Sequence, residues 1–218
     1  MNLAYPYKLL ENNLWLSPDR MVFWEEEKAI IVSDLHFGKS GHFRKAGIAV
    51  PQNIYKEDLQ RLMSQLQYFQ PKKMIVAGDM FHSHANKELD WFKRWRESFP
   101  DTEILLIKGN HDILNEKWYE ELGIDVSGNL NLHPFMFTHD VEPCRDMLEH
   151  GTYCFSGHIH PGIQVRGGGR QVLRLPCYYF TPEFCVLPAF SRFTGLALIE
   201  PEQGDTVFAI VNNTIIPF

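Results

Sequence analysis

Five short clusters hold the residues able to do chemistry: Asp34-Leu35-His36, Asp79, Asn110-His111-Asp112, His139-Asp140 and His158-Ile159-His160. Carboxylate, amide and imidazole groups are lone-pair donors to divalent metals, and imidazole also moves protons near neutral pH. No cysteine joins the clusters, so the donor set suits manganese, iron, zinc or nickel rather than a soft-metal site. The spacing adds to this. Asp34 and His36 are alternate residues, as are His158 and His160, so on extended chain each pair faces one way.

Each cluster stands at the end of an apolar run. Ala29-Ile30-Ile31-Val32-Ser33 leads to Asp34, Met74-Ile75-Val76-Ala77-Gly78 to Asp79, and Glu103-Ile104-Leu105-Leu106-Ile107-Lys108-Gly109 to Asn110. Phe135-Met136-Phe137-Thr138 leads to His139, and Tyr153-Cys154-Phe155-Ser156-Gly157 to His158. Short branched runs of this kind predict buried strands. In open α/β sheets, ligands bind at the carboxyl ends of the strands. Five exits lying side by side would make one bed for divalent ions.

The intervening chain supplies helices. Pro51 opens one with Tyr55, Leu59, Leu62, Met63, Leu66 and Phe69 on its apolar face, and Pro71 ends it. A second carries Leu89, Phe92, Trp95 and Phe99 and stops at Pro100. A third is expected over Leu114 to Leu122, ending at Gly123. From Ile124 onward, short apolar runs broken by glycine and proline predict mainly antiparallel hairpins. The fold class is therefore α/β: two packed mixed β-sheets flanked by helices, a four-layer αββα sandwich. One domain over residues 1–218 is expected, with no cap domain, because only about 20–40 residues separate most successive motifs. The metals should then lie in an open cleft, which suits a polymer better than a small metabolite.

Composition narrows the function classes. An apolar fraction of 44% and a charged fraction of 22% are ordinary for a globular chain. No run reaches transmembrane length, and the start lacks the basic-then-apolar form of a signal peptide, so a cytoplasmic protein away from membranes is expected. Cys144, Cys154, Cys177 and Cys185 form no C-x-x-C pair and are expected as reduced, buried thiols. The net charge of −6 argues against nucleic acid held mainly by a basic surface, although bound ions would add positive charge at the site.

The motif series D-x-H, G-D, G-N-H-D, H, G-H-x-H resembles that of the calcineurin-like metallophosphoesterases. Within that superfamily the chain is similar to the DNA-ligase-associated metallophosphoesterases, bacterial phosphodiesterases or endonucleases linked to DNA damage responses. The narrower likeness rests on Asp34-Leu35-His36-Phe37-Gly38-Lys39 running into His42-Phe43-Arg44-Lys45-Ala46-Gly47. It rests also on Gly78-Asp79-Met80-Phe81-His82-Ser83, on Leu187-Pro188-Ala189-Phe190 and on Phe193-Thr194-Gly195.

This resemblance implies that Asp34, His36 and His160 bind a first metal, that Asn110, His139 and His158 bind a second, and that Asp79 bridges them. His111 is then the catalytic histidine and Asp112 orients it. Two ions roughly 3.5–4 Å apart would hold a bridging hydroxide as nucleophile, with His111 as general acid. Manganese is the first expectation for the metal. The implied function is a phosphodiesterase cutting DNA as an endonuclease in DNA repair, with a DNA ligase and a helicase as functional neighbours. The resemblance leaves two alternatives: a small-nucleotide phosphodiesterase or phosphomonoesterase, and a non-catalytic scaffold, which would have no need of His111. Thr138 departs from the glycine many relatives carry before the histidine.

Bland readings stand beside these. His42 and Arg44 read equally as phosphate contacts and as part of a solvated basic loop, with Lys39 and Lys45 weaker candidates. His82 reads equally as a substrate contact and as a turn residue. His133 and His150 are expected as satisfied core histidines, and Asp140 as a turn cap.

Overall fold

The structure, a computed structural model, describes residues 4–39, 47, 53–82, 87–147, 150–168 and 171–218. Strands β1 (Tyr5–Leu9), β2 (Asn12–Ser17), β3 (Met21–Trp24) and β4 (Ala29–Val32) form an antiparallel meander. Strands β5 (Lys73–Val76), β6 (Glu103–Ile107) and β7 (Ile124–Ser127) extend it by parallel pairing, giving a seven-stranded sheet in chain order. Parallel neighbours need crossovers, which run through helices α1 (Asn53–Phe69), α2 (Lys87–Arg96) and α3 (Glu116–Glu121).

The nine-stranded second sheet contains β8 (Leu130–Leu132), β9 (Phe135–Phe137), β10 (Tyr153–Ser156), β11 (Pro161–Arg166) and β12 (Val172–Phe180). It is completed by β13 (Phe184–Val186), β14 (Ala197–Leu198), β15 (Thr206–Val211) and β16 (Thr214–Pro217). Helix α4 (Val141–Met147) joins β9 to β10.

Alternation along the central strands sorts side chains into separate cores. Ile31, Ile75 and Ala77 meet Phe135, Phe137, Phe155 and Tyr178 between the sheets. Ile30, Val32, Met74 and Val76 point the other way, onto Leu62 and Leu66 of α1 and Phe92 of α2. On the far face of the second sheet, Val141 and Cys144 of α4 pack on Cys154, Phe184 and Val186. The result is helix, sheet, sheet, helix, as the sequence pattern predicts. Each fully buried large apolar side chain contributes roughly 1.5–3 kcal/mol, so these layers hold the strand exits in place.

Several expectations need correction. Helix α3 starts at Glu116 rather than Leu114, because Asn115 serves as its N-cap and accepts the Lys117 N–H at 3.0 Å. Helix α4 stands in a stretch expected to be mainly β; Pro143 falls in its first turn, where a missing N–H costs nothing. The second sheet is less antiparallel than its turns suggest, since β10 pairs parallel with both β9 and β13. Cys144 and Cys154 form a disulfide, while Cys177 and Cys185 are free and buried. His133 and His150 are exposed, not core residues. Asp140 precedes α4 and accepts from the Glu142 N–H at 3.4 Å, in line with its capping reading. Among the described residues, no helix is long and apolar enough to cross a membrane.

Candidate metal centre

Strands β4, β5 and β6 are adjacent and parallel, so their carboxyl ends share one edge of the first sheet. Strands β9 and β10 do the same in the second sheet. The two edges meet. The His158 N–H donates to Asp34 Oδ2 at 3.1 Å, and His160 Nε2 lies 3.2 Å from Asp34 Oδ1. His139 Nε2 lies 3.5 Å from Asp79 Oδ1. The β4 and β5 exits stay paired beyond their strands: Asp34 N–H donates to Gly78 O at 3.0 Å and His36 N–H to Asp79 O at 2.9 Å.

The glycines before the clusters are steric necessities. A Cβ on Gly78 would overlap the His139 ring, and one on Gly109 would overlap Asp79. A Cβ on Gly157 would stand 2.7 Å from Asp34 Oδ2 and 2.8 Å from the Ala77 carbonyl oxygen. The backbone itself is bent. Asp34, His36, Asp79, His158 and His160 all have φ between 49° and 66°. Each non-glycine residue in that left-handed region costs on the order of 1 kcal/mol or more, and such residues gather at functional sites.

Two groups of donors result. Asp34, His36 and His160 bring ligand atoms within 4.8 Å of one another, and so do Asp34, Asp79 and His139. His36 Nε2 is 4.0 Å from both Asp34 Oδ1 and Asp79 Oδ2. Asp34 Oδ1 and both His36 ring nitrogens are buried without a hydrogen-bond partner among the described residues. Buried polar atoms left this way need a ligand to satisfy them. Burial, and then the nearby Lys39 ammonium and three imidazoles, pushes the His36 pKa down to about 2, so its ring is neutral with one nitrogen lone pair to donate. The His139 Nδ1 lies 3.0 Å from the Ala77 carbonyl oxygen, which can only accept, so Nδ1 carries the proton and Nε2 is free to bind. His158 Nδ1 is 3.2 Å from that Nε2. Residues of this kind fit divalent ions.

The remaining predicted residues lie around this cluster. His111 is half exposed, with Nε2 4.0 Å from Asp79 Oδ2, and its backbone N–H donates to Asp79 Oδ1 at 2.9 Å. Asn110 is exposed on the same turn. Asp112 is buried and accepts from the Phe81 N–H and the Gly109 N–H, both at 2.9 Å. Its carboxylate thus fixes the β5 and β6 exits to each other, so its orienting effect on His111 runs through backbone. Burial and the neighbouring Asp79 push its pKa up to about 6, against the pull of those two N–H donors. His82 packs on His111 with ring centroids 4.1 Å apart and on His36 at 5.3 Å. His42 and Arg44 fall outside the described residues.

Two features stand out more in the structure than in the residue types. Lys39 carries its charge near Asp34 and Asp79, which makes it a stronger candidate than its loop suggested. A strap after β13 also lines the cluster: Leu187 N–H donates to Ser156 O, Phe190 N–H to Ser33 O, Ser191 N–H to Asp34 O and Ala197 N–H to His160 O. It touches the backbone of both sheets at their ligand-bearing exits. Backbone hydrogen bonds of this type leave no trace in residue types.

Comparison with known proteins gives a consistent result. The family described as calcineurin-like phosphoesterase matches residues 28–172. No curated protein matches. Among solved structures, Pseudomonas putida nuclease MPE aligns with a TM-score of 0.83 at 27% identity, covering 99% of this chain and 100% of that one. A protein of unknown function from Aquifex aeolicus aligns at TM-score 0.44 and 15% identity over 65% of this chain and 82% of its own. The E. coli phosphoesterase Yfce aligns at 0.44 and 13% over 86% and 96%. The last two are too distant to carry an argument.

Proposed function

Because the chain belongs to the calcineurin-like phosphoesterase family and is a metal-dependent phosphoesterase, we propose that it is a phosphodiesterase that cuts DNA internally, in DNA repair. The observation that carries this reading is the meeting of five strand exits at one edge, with acid and imidazole donors grouped within 4.8 Å. The likeness to a nuclease over nearly the whole of both chains supports nucleic acid as the substrate class.

In this reading Asp34, His36 and His160 would hold one ion, Asn110, His139 and His158 would hold the other, and Asp79 would serve both. Asp34 also belongs to the Asp79–His139 donor group. Bound divalent ions, with manganese the first choice, supply Lewis-acid neutralisation of phosphate charge and a more acidic water. His111, held by its own N–H on Asp79 and open to solvent at its ring, donates the proton to the departing oxygen. General-acid help of this type is worth about 10²–10⁴-fold. Asp112 keeps the His111 turn fixed against the β5 exit. His82, against the His111 ring, is a substrate contact, and His42 and Arg44 would serve the phosphate backbone. A DNA ligase and a helicase are proposed as functional neighbours.

The test is nicking of supercoiled plasmid by metal-stripped protein, with and without manganese, beside His111→Ala. Manganese-dependent nicking that falls about 10²–10⁴-fold in the variant, with fold and metal content retained, is expected. Equal rates in parent and variant would remove the acid role. No nicking by metal-loaded parent would move the substrate to a small phosphodiester.

A further inference from the structure

Behind the cluster, two arginines grip the strap on which Asp34 rests. Residues 189–191 face two ways. Their N–H groups look into the site: Phe190 donates to Ser33 O at 2.9 Å and Ser191 to Asp34 O at 3.1 Å. Their carbonyls look away and are captured by guanidinium groups. Arg20 donates to Ala189 O at 3.0 Å and to Ser191 O at 3.1 Å, and Arg61 donates to Phe190 O. Three successive carbonyls are held by two side chains from separate elements, the β2–β3 turn and α1.

The grip is buried. The Arg61 side chain is 9% exposed, lies over the Phe190 ring at 4.0 Å, and pairs with the buried Asp58 at 3.1 Å. Asp58 in turn takes a hydrogen bond from the Ser191 side chain. A guanidinium suits this place because it is planar, forked and weakly hydrated, so it can bond carbonyls and stack on an aromatic ring at once. On the other side of the strap, Asp34 is held at φ 53° and contributes to both donor groups. The strap hydrogen bond to the Asp34 carbonyl braces that unfavourable turn.

We propose that Arg20 and Arg61 are positioning residues for Asp34, setting the affinity of the ion at Asp34, His36 and His160 by clamping residues 189–191. This rests on the metal-ligand reading given above. Neither arginine touches a donor atom, and the clamp acts through backbone alone. The competing explanation is purely structural, since buried carbonyls need donors wherever they occur. Arg96 provides the comparison, because it holds the Leu122 and Phe99 carbonyls in the same manner just before β6 begins, away from the strand exits.

The experiment is a manganese titration followed by electron paramagnetic resonance, with melting of the chelated proteins measured in parallel. It compares the parent with Arg61→Met, Arg61→Lys, Arg20→Met, Arg96→Met and Asp34→Asn. Arg61→Met and Arg20→Met should weaken the ion at Asp34, His36 and His160 about 10–100-fold, and the ion beside Asp79 and His139, whose donor group Asp34 also enters, by less. Arg61→Lys should recover part of the loss. Arg96→Met should lower the melting temperature and leave both ions unchanged. Parental binding of both ions by Arg61→Met and Arg20→Met, while Asp34→Asn loses binding, would overturn the clamp and keep the metal reading. Equal weakening by Arg96→Met would reduce the clamp to general stability. Parental binding by Asp34→Asn would sink the metal reading itself. If Arg61→Met does not fold, Arg20→Met decides, since its side chain is only partly buried.

Discussion

Gly157→Ala tests whether the two sheets must touch for the centre to exist. A Cβ at this position would stand 2.7 Å from Asp34 Oδ2, 2.7 Å from Ser33 Cβ and 2.8 Å from the Ala77 carbonyl oxygen. Ordinary contact begins at about 3.4 Å, so the β10 exit must retreat from the β4 and β5 exits by about 0.7 Å. Rotating a side chain cannot relieve this, because two of the three obstacles are a backbone oxygen and a Cβ. The same retreat would stretch the His158 N–H to Asp34 bond, now 3.1 Å. Overpacking of this kind costs about 1–3 kcal/mol. For a chain of this size each kcal/mol moves Tm by about 2–4 °C, so a fall of about 2–12 °C is expected. Metal–ligand distances tolerate about 0.2 Å, so the manganese-induced rise in Tm should shrink much more than Tm itself. Gly128→Ala is the control: nothing lies within 4 Å of its Cβ. Calorimetry with chelator and with manganese measures both effects. A Gly157→Ala protein with the parental Tm and the parental manganese shift would refute the steric argument.

Asp79→Asn should weaken both ions together, because Asp79 lies between His36, His111 and His139; two tightly bound ions in the variant, counted by elemental analysis, would contradict the shared role. Alkaline pH should unfold the chain cooperatively. Burial pushes the Tyr178 and Tyr153 phenols and the Cys185 thiol well up, and the Cys177 thiol up to about 12. Groups with raised native pKa values stabilise fully below their unfolded values and lose that contribution as pH rises through the native ones. Stability should therefore decline from about pH 9 upward, starting near the ordinary thiol and phenol values. The part of the 295 nm absorbance that comes from the buried tyrosines should rise together with loss of circular dichroism; ionisation of all eight tyrosines in a folded protein would contradict the burial.

The strand exits were legible because two simple signals coincide there: a branched apolar run ends, and residues with lone pairs begin. The structure brings Asp34, His36, Asp79, His139, His158 and His160 from these exits together. Helix α4 was not legible, because Pro143 reads as a breaker unless its place in the first turn is known. The parallel pairing of β10 with β9 and β13 was hidden too, since pairing direction depends on where a crossover returns. Nothing in the residue types announces left-handed φ at Asp34 or His158; tertiary contacts impose it. The Cys144–Cys154 contact joins α4 to β10, so missing that helix meant missing the pair. Nothing in the residue types marks Arg20 and Arg61 as a clamp, because the strap groups they hold are main-chain carbonyls.

The candidate centre draws its donor groups from both sheets, and this bears on the order in which the chain can acquire it. His158 and Asp34, joined by a hydrogen bond, are 124 residues apart in sequence. Contacts of such range form late, because chain closure must be met before they return any free energy. The β4–β5–β6 crossovers can assemble beforehand, with Asp34, Asp79 and His111 in register but half the imidazoles missing. An ion bound across the finished seam would act as a cross-link closing a very long loop. Its removal should therefore loosen the contact between the sheets before either sheet comes apart.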